Sequence, residues 1–170
     1  GNESRRAALL QALRDHSLVA TVAASSRPTG GARAVSAAGG AVPVSQLPVS
    51  SEYFGVLGIG VVSGRGFTQS ERTIESGVAV VSETIARDLW LIGNAVGQLI
   101  RLHASSSPGA PPMPSRALTV VGVVRDVNGP LAPDLFPSWG IYVPTGPENP
   151  GTGLTLRVRG DPEQARQALI

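Results

Sequence analysis

Apolar residues recur along this chain at two periods, and the switches between them set out a mixed order of helices and strands. From Glu3 to Asp15, Leu9, Leu10 and Leu13 form a stripe with Arg5, Arg6 and Arg14 elsewhere, which predicts a helix. Leu18 to Ala24 is rich in Val, Thr and Ala and predicts a strand. Ser25 to Gly40 is Ser, Gly, Ala and Pro with little to bury, and predicts a long mobile loop. Ala41 to Val49 is extended, with Pro43 and Pro48 assigning it to an edge or an irregular strand. Ser50 then caps a short helix, Ser51 to Leu57, that Gly58 ends.

The second half is more strongly patterned. Val78 to Val81 is a short buried strand, and Ser82 caps a helix from Glu83 to Trp90. Ile85 with Leu89, and Ala86 with Trp90, stand four apart and share its inner face. Gln98 to Leu102 is a strand, followed by a Pro-rich loop from His103 to Arg116. Ala117 to Arg125 is apolar on both faces and so predicts a central strand. Gly122 within it predicts the close approach of a neighbouring backbone. Asn128 to Gly140 reads as loop and Ile141 to Val143 as a short strand. In Gly153 to Arg159 the side chains alternate: Leu154, Leu156 and Val158 on one face, Thr155, Arg157 and Arg159 on the other. Asp161, Pro162 and Gln164 are the cap, first and third positions of a final helix, which the chain leaves about two turns in, at Ile170.

Composition narrows what such a chain does. A chain of 170 residues buries roughly 69% of its extended-chain surface, enough for one core or two small ones. Gly at 21 and Pro at 14 make connecting segments plentiful. All 14 basic residues are arginine, so a net charge of +2 yields a pI of 9.9 that overstates the basicity. The arginines are scattered and aromatics are 4%, which argues against nucleic-acid binding. Without cysteine there are no disulfides, thiolate metal sites or thiol nucleophiles. No apolar run approaches the ~20 residues of a membrane span.

Motifs for chemistry are weak. His16 and His103 have no neighbouring partner in the sequence to make a metal pair. Ser63 precedes Gly64 but lacks the glycine-flanked elbow of a serine hydrolase. The glycines at 58, 60 and 64 miss the spacing and the strand-then-helix setting of a dinucleotide fingerprint, and a chain without lysine has no phosphate-loop lysine. Glu71 and Glu75 are four apart; Asp126, just past the central strand, reads as a solvated turn residue or a binding group. Arg157 and Arg159 share one strand face, either solvated or presented to a partner.

Six segments, in order, resemble one family. They are Pro48 to Ile59 (PVSSEYFGVLGI), Ser63 to Thr68 (SGRGFT), Val78 to Ala86 (VAVVSETIA) with Trp90, Val96-Gly97 with Ile100 to Leu102, Thr119 to Val127 (TVVGVVRDV), and Ile141 to Pro144 (IYVP). Together they are similar to the extracytoplasmic, periplasmic core domain of MacB/FtsX-like ABC transporter permeases, the duplicated acidobacterial-type permeases most nearly. Gly66 replaces a usual Asp, Leu91 and Ile92 replace a Pro-Gly turn, and the His103 to Arg116 loop is longer than usual.

The resemblance implies a two-lobed α+β fold. Residues 1–27 and 152–170 would form a porter-like βα lobe, 28–40 a flexible loop, and 41–151 a smaller inserted mixed α+β lobe. A first strand is expected before Gly1, with membrane helices on both sides. It also implies a non-catalytic domain without cofactor or metal. Such a domain couples cytoplasmic ATP hydrolysis to efflux or to periplasmic mechanical work, through substrate or adaptor contacts. Its implied partners are the transmembrane helices of its own full-length chain, a second permease copy or half, a cytoplasmic ABC ATPase and a periplasmic adaptor. Arg157 and Arg159 are the expected partner-facing patch. The alternatives are a free-standing extracellular ligand-binding module and, further off, a hydrolase built on Ser63 with His16 or His103.

Overall fold

A computed structural model describes residues 1–91, 93–104, 115–127 and 140–169. Most of the two segments expected as the Pro-rich loop and the Asn128 to Gly140 loop lies outside the described residues, as does Ile92. The elements are α1 (Asn2–Asp15), β1 (Val19–Ser25), β2 (Thr29–Ser36), β3 (Ala41–Val49), α2 (Tyr53–Leu57), β4 (Val61–Gly64), a 3-10 turn (Ile74–Ser76), β5 (Val78–Ser82), α3 (Glu83–Leu89), β6 (Leu99–Ala104), β7 (Arg116–Val124), β8 (Gly140–Pro144), β9 (Gly153–Val158) and α4 (Pro162–Leu169). The class is α+β, as expected.

Among the described residues all nine strands belong to one sheet in the order β2-β6-β7-β5-β8-β3-β1-β9, with β4 also pairing with β7 and β2 also pairing with β3. The last pairing closes β2, β6, β7, β5, β8 and β3 into a ring. Residues Ala32 to Val35 of β2 have partners on both edges, Ala34 standing between Val42 of β3 and Leu102 of β6. The ring is filled by Ala32, Ala34, Ile100, Leu118, Val120 and Ile141 with others, and by the inner face of α3, where Ile85, Leu89 and Trp90 are buried. Ser82 caps α3 through its hydroxyl, which accepts the Ile85 N–H.

The expected loop at 28–40 is therefore corrected: Thr29–Ser36 is a strand inside the sheet. Its inward positions carry only the small residues Ala32, Ala34 and Ser36 because Ile85, Leu89 and Trp90 already fill the ring, so no apolar periodicity of large side chains marks it. The expectation of an edge or irregular strand at Ala41 to Val49 also changes. β3 lies between β8 on one side and β2, then β1, on the other. Its prolines are tolerated because Pro43 stands before β8 begins to pair at Ser45. Pro48 falls between the last β2 partner, Gln46, and the first β1 partner, Val49.

β7 is central, flanked by β5 on one edge and by β6 and β4 on the other, as its two apolar faces predicted. A Cβ on Gly122 would overlap the carbonyl oxygen of Arg65, so the chain after β4 crosses β7 at a distance only glycine permits. Outside the ring, Tyr53, Phe54, Phe67 and Tyr142 pack together, Phe54 and Tyr142 edge to face at 5.0 Å. This cluster anchors α2. Burial raises the pKa of both phenols, that of Tyr142 to about 12 with the Asp126 carboxylate adding to the effect.

β1 and β9 pair antiparallel beyond the ring, and α1 and α4 cover one face through Leu10, Leu13, Val19, Val22, Leu156 and Leu169. Asp161 accepts the Glu163 N–H and caps α4 as expected. The capping role expected of Ser50 is not observed: α2 has Glu52 at its N-cap and no side-chain cap. The Ser50 hydroxyl instead accepts the buried Ala24 N–H at 2.9 Å, tying β1 to the end of β3 where their ladder has a single register pair.

Replacing Gly122 by alanine should destabilise the fold by about 3 kcal/mol, because backbone rather than a movable side chain occupies the Cβ position. A fall in the urea midpoint at unchanged slope checks this; an unchanged midpoint would refute the close-approach account.

Candidate functional site

The second face of the β1–β9 pair is only partly covered. Ala23 on that face packs into the aromatic cluster beneath α2, while its neighbours Ser25 and Thr155 border open space. Between α2 and this face runs a groove of about 430 Å³. Leu47, Tyr53 and Leu57 give it an apolar floor, and Leu57 is 39% exposed. Ser25, Ser26 and Thr155 supply hydroxyls to its walls, Gly151 and Gly153 leave one side low, and Arg27 stands at the rim. No acidic side chain among the described residues lines it.

Arg157 follows Thr155 by two residues on the same face of β9, so it extends this surface. Arg157 is exposed and has no hydrogen-bond or ion-pair partner among the described residues. Arg159 is also exposed, but its guanidinium donates to the carbonyl of Ser17 at 3.0 Å. One of the two sequence-chosen arginines is thus free to meet a partner, and the other is committed to holding the α1–β1 turn.

The hydrolase constellation is not assembled. Ser63 lies in β4 beside Val123, and His103 is exposed in β6 opposite Arg33. His16 follows α1, its Nδ1 accepting the Leu18 N–H at 3.2 Å. Neither histidine is hydrogen-bonded to a serine or carboxylate among the described residues, and no three metal-ligating side chains cluster there. No helix among them is long and apolar enough to cross a membrane.

Asp126 is more than a solvated turn residue. It accepts the Thr84 N–H at 3.0 Å and the Thr84 hydroxyl at 2.7 Å, capping α3 from outside that helix, with the Arg87 guanidinium 3.9 Å away. Sequence reasoning also missed Arg6. From α1 its guanidinium donates to the Pro147 carbonyl at 2.7 Å and to the Thr152 carbonyl and hydroxyl at 2.8 and 2.6 Å. On the other side of the same β8–β9 connection, Arg72 grips Glu148 with two hydrogen bonds of 2.7 and 2.8 Å. Nothing in the local pattern around Arg6 signals contacts so distant in sequence.

A model of the MacB-like periplasmic core domain matches residues 2–170. The chain belongs to that family. Solved structures agree on the fold. The periplasmic region of MacB from Actinobacillus actinomycetemcomitans superposes with a TM-score of 0.65 at 18% identity, over 94% of this chain and 68% of that one. The extracellular domain of the ABC-type transporter YknZ from Gram-positive bacteria gives 0.60 at 17% identity, over 93% and 74%. A domain of a protein described as a permease from Porphyromonas gingivalis gives 0.60 at 17%, over 93% and 71%. No curated protein matches significantly. The MacB-like assignment places this chain on the extracytoplasmic side of the membrane, as a periplasmic domain of an ABC transporter permease.

In this MacB-like domain the family segment at Ser63 to Thr68 is held by charge. Arg65 forms paired hydrogen bonds of 3.0 and 2.9 Å with Glu71, which also accepts the Thr68 N–H. Arg65 holds the Glu71 carboxyl down to about 2, against an ordinary 4.5. A depressed carboxylate stabilises the fold above its unfolded pKa, and that stability drains away as pH falls from 4.5 towards 2. Because Arg65 is half exposed, solvent screening reduces the contribution to about 1 kcal/mol. Glu71→Gln should lower stability by that amount at pH 7 and by almost nothing at pH 2, measured by urea titration at both; an equal loss at both would refute the assignment.

Proposed function

We propose that this chain is the non-catalytic, extracytoplasmic part of an ABC transporter permease subunit. On this reading it couples cytoplasmic ATP hydrolysis to efflux or to periplasmic mechanical work, through contacts with substrate or adaptor. The observation that carries the reading is the family match, which runs from residue 2 to residue 170. The cytoplasmic ATPase acts through the membrane part of the full-length permease, beside a second permease copy or half.

The terminal layer of α1, β1, β9 and α4 is read as the porter-like lobe, residues 1–27 and 152–170, and the ring with α2 and α3 as the inserted lobe. Two features support this division: the layer has its own apolar cluster, and polar links such as Arg6 connect it to the β8–β9 segment. A force arriving at α1 would reach the ring through Arg6, the β8–β9 connection and Arg72. Arg157 leads the proposed partner-facing patch, and Arg159, held to the Ser17 carbonyl, borders it with its charge.

The test is charge reversal in the intact permease with its ATPase and adaptor. Arg157→Glu with Arg159→Glu should cut adaptor capture at least tenfold while the protein stays folded by circular dichroism. Arg159→Gln alone, which gives up the charge without reversing it, should cost little. Full adaptor capture and transport by the double variant would overturn the patch assignment.

A further inference from the structure

The groove between α2 and β9 contains two glycines that the fold itself does not require. Neither Gly151 nor Gly153 has a positive φ. A Cβ on Gly153 would meet only the Ser25 carbonyl at 3.7 Å, an ordinary contact, and one on Gly151 would meet only the Asn149 side chain at 3.4 Å. Gly122, by contrast, is fixed by the backbone across it. What the missing side chains at 151 and 153 create is open space along one wall of the groove. At 153, the first residue of β9, a valine would suit a strand better.

Charge adds a direction. Arg27 at the rim and Arg157 further along the face are both exposed, and neither has a partner among the described residues. They flank an apolar floor, and no carboxylate stands among the described residues that line it. The groove is open along one side, whereas sites for small molecules enclose most of their ligand. An open, glycine-sided trough with an apolar floor and cationic ends fits an extended polypeptide.

We propose that this groove binds an acidic, extended segment of a protein partner. One leucine-sized side chain sits over Tyr53 and Leu57, and flanking carboxylates meet Arg27 and Arg157. Low walls at Gly151 and Gly153 let the partner backbone approach β9. The proposal rests on the partner-contact reading above and specifies its chemistry.

The probe is a fluorescein-labelled Asp-Leu-Asp-Leu-Asp peptide titrated against the 170-residue chain by anisotropy, with Arg-Leu-Arg-Leu-Arg as the charge-reversed control and decanoate as a small anionic amphiphile. The acidic peptide should bind saturably and the basic one should not. Arg27→Glu with Arg157→Glu should weaken binding at least tenfold. Gly153→Val should do the same while leaving the melting temperature unchanged or raised; Gly153→Ala should give a smaller loss with the same stability. Equal binding of both peptides, no binding of the acidic one, decanoate binding alone, or full affinity in a folded Gly153→Val would each overturn the proposal. If the peptide fails while the intact permease still needs Arg157 and Arg159 for adaptor capture, only this inference falls; if both fail, the partner-contact reading falls with it.

Discussion

A strand of small residues, Thr29–Ser36, has hydrogen-bonded neighbours on both edges, and this closure governs the rest of the domain. Because β2 joins β3 to β6, the six ring strands expose no continuous open edge to water. Closure also limits interior volume. One helix face, that of α3, occupies it, and the alanines of β2 are what the remaining space admits. Outside the ring a second apolar cluster forms, where four of the chain's seven aromatic side chains gather. Those aromatics seat α2, and α2 in turn forms one wall of the groove against β9. The candidate site thus traces back, through packing, to the closure made along β3, the strand that also lends Leu47 to the groove.

What the sequence disclosed follows the same physics. Where a position has one solution, the residue announced it: Gly122 for a crossing backbone, Ser82 and Asp161 for helix starts, and alternation in β9 for a sheet with two unlike faces. Where the structure offers a residue several uses, local pattern misled. Ser50 has a capping side chain in a capping position, yet a buried amide of β1 claims it. β2 carries a faint inward alternation of Ala32 and Ala34, but alanine is as common in loops as in tight interiors. Arg6 and Asp126 were beyond reach, since each acts on groups brought near only by the completed fold.

The candidate surface was half legible. Arg157 stood out from strand alternation, and the structure leaves it unpaired among the described residues, while Arg159 is occupied at the α1–β1 turn. The groove itself was not legible, because its floor comes from β3 and α2 and its wall from β9. An arginine-only basic set suits such a surface. Guanidinium stays charged at any physiological pH and can grip a carboxylate with two parallel hydrogen bonds, as Arg65 does with Glu71.

The pairing of β1 with β9 has a kinetic consequence. Val19 meets Val158, so this ladder joins opposite ends of the chain and carries a large loop-closure cost unless something between them is already ordered. The ring strands supply that order, since β3 and β8 deliver the start of the ladder together at Val49 and Pro144. Assembly in which the ring forms first and the ends zip last is the route of least entropy. Pulsed hydrogen exchange would show it as late protection of β9 relative to β7, and early protection of β9 would rule it out. A chain that emerges from synthesis N-terminus first would therefore hold α1 and β1 in waiting until β9 has followed the whole ring out.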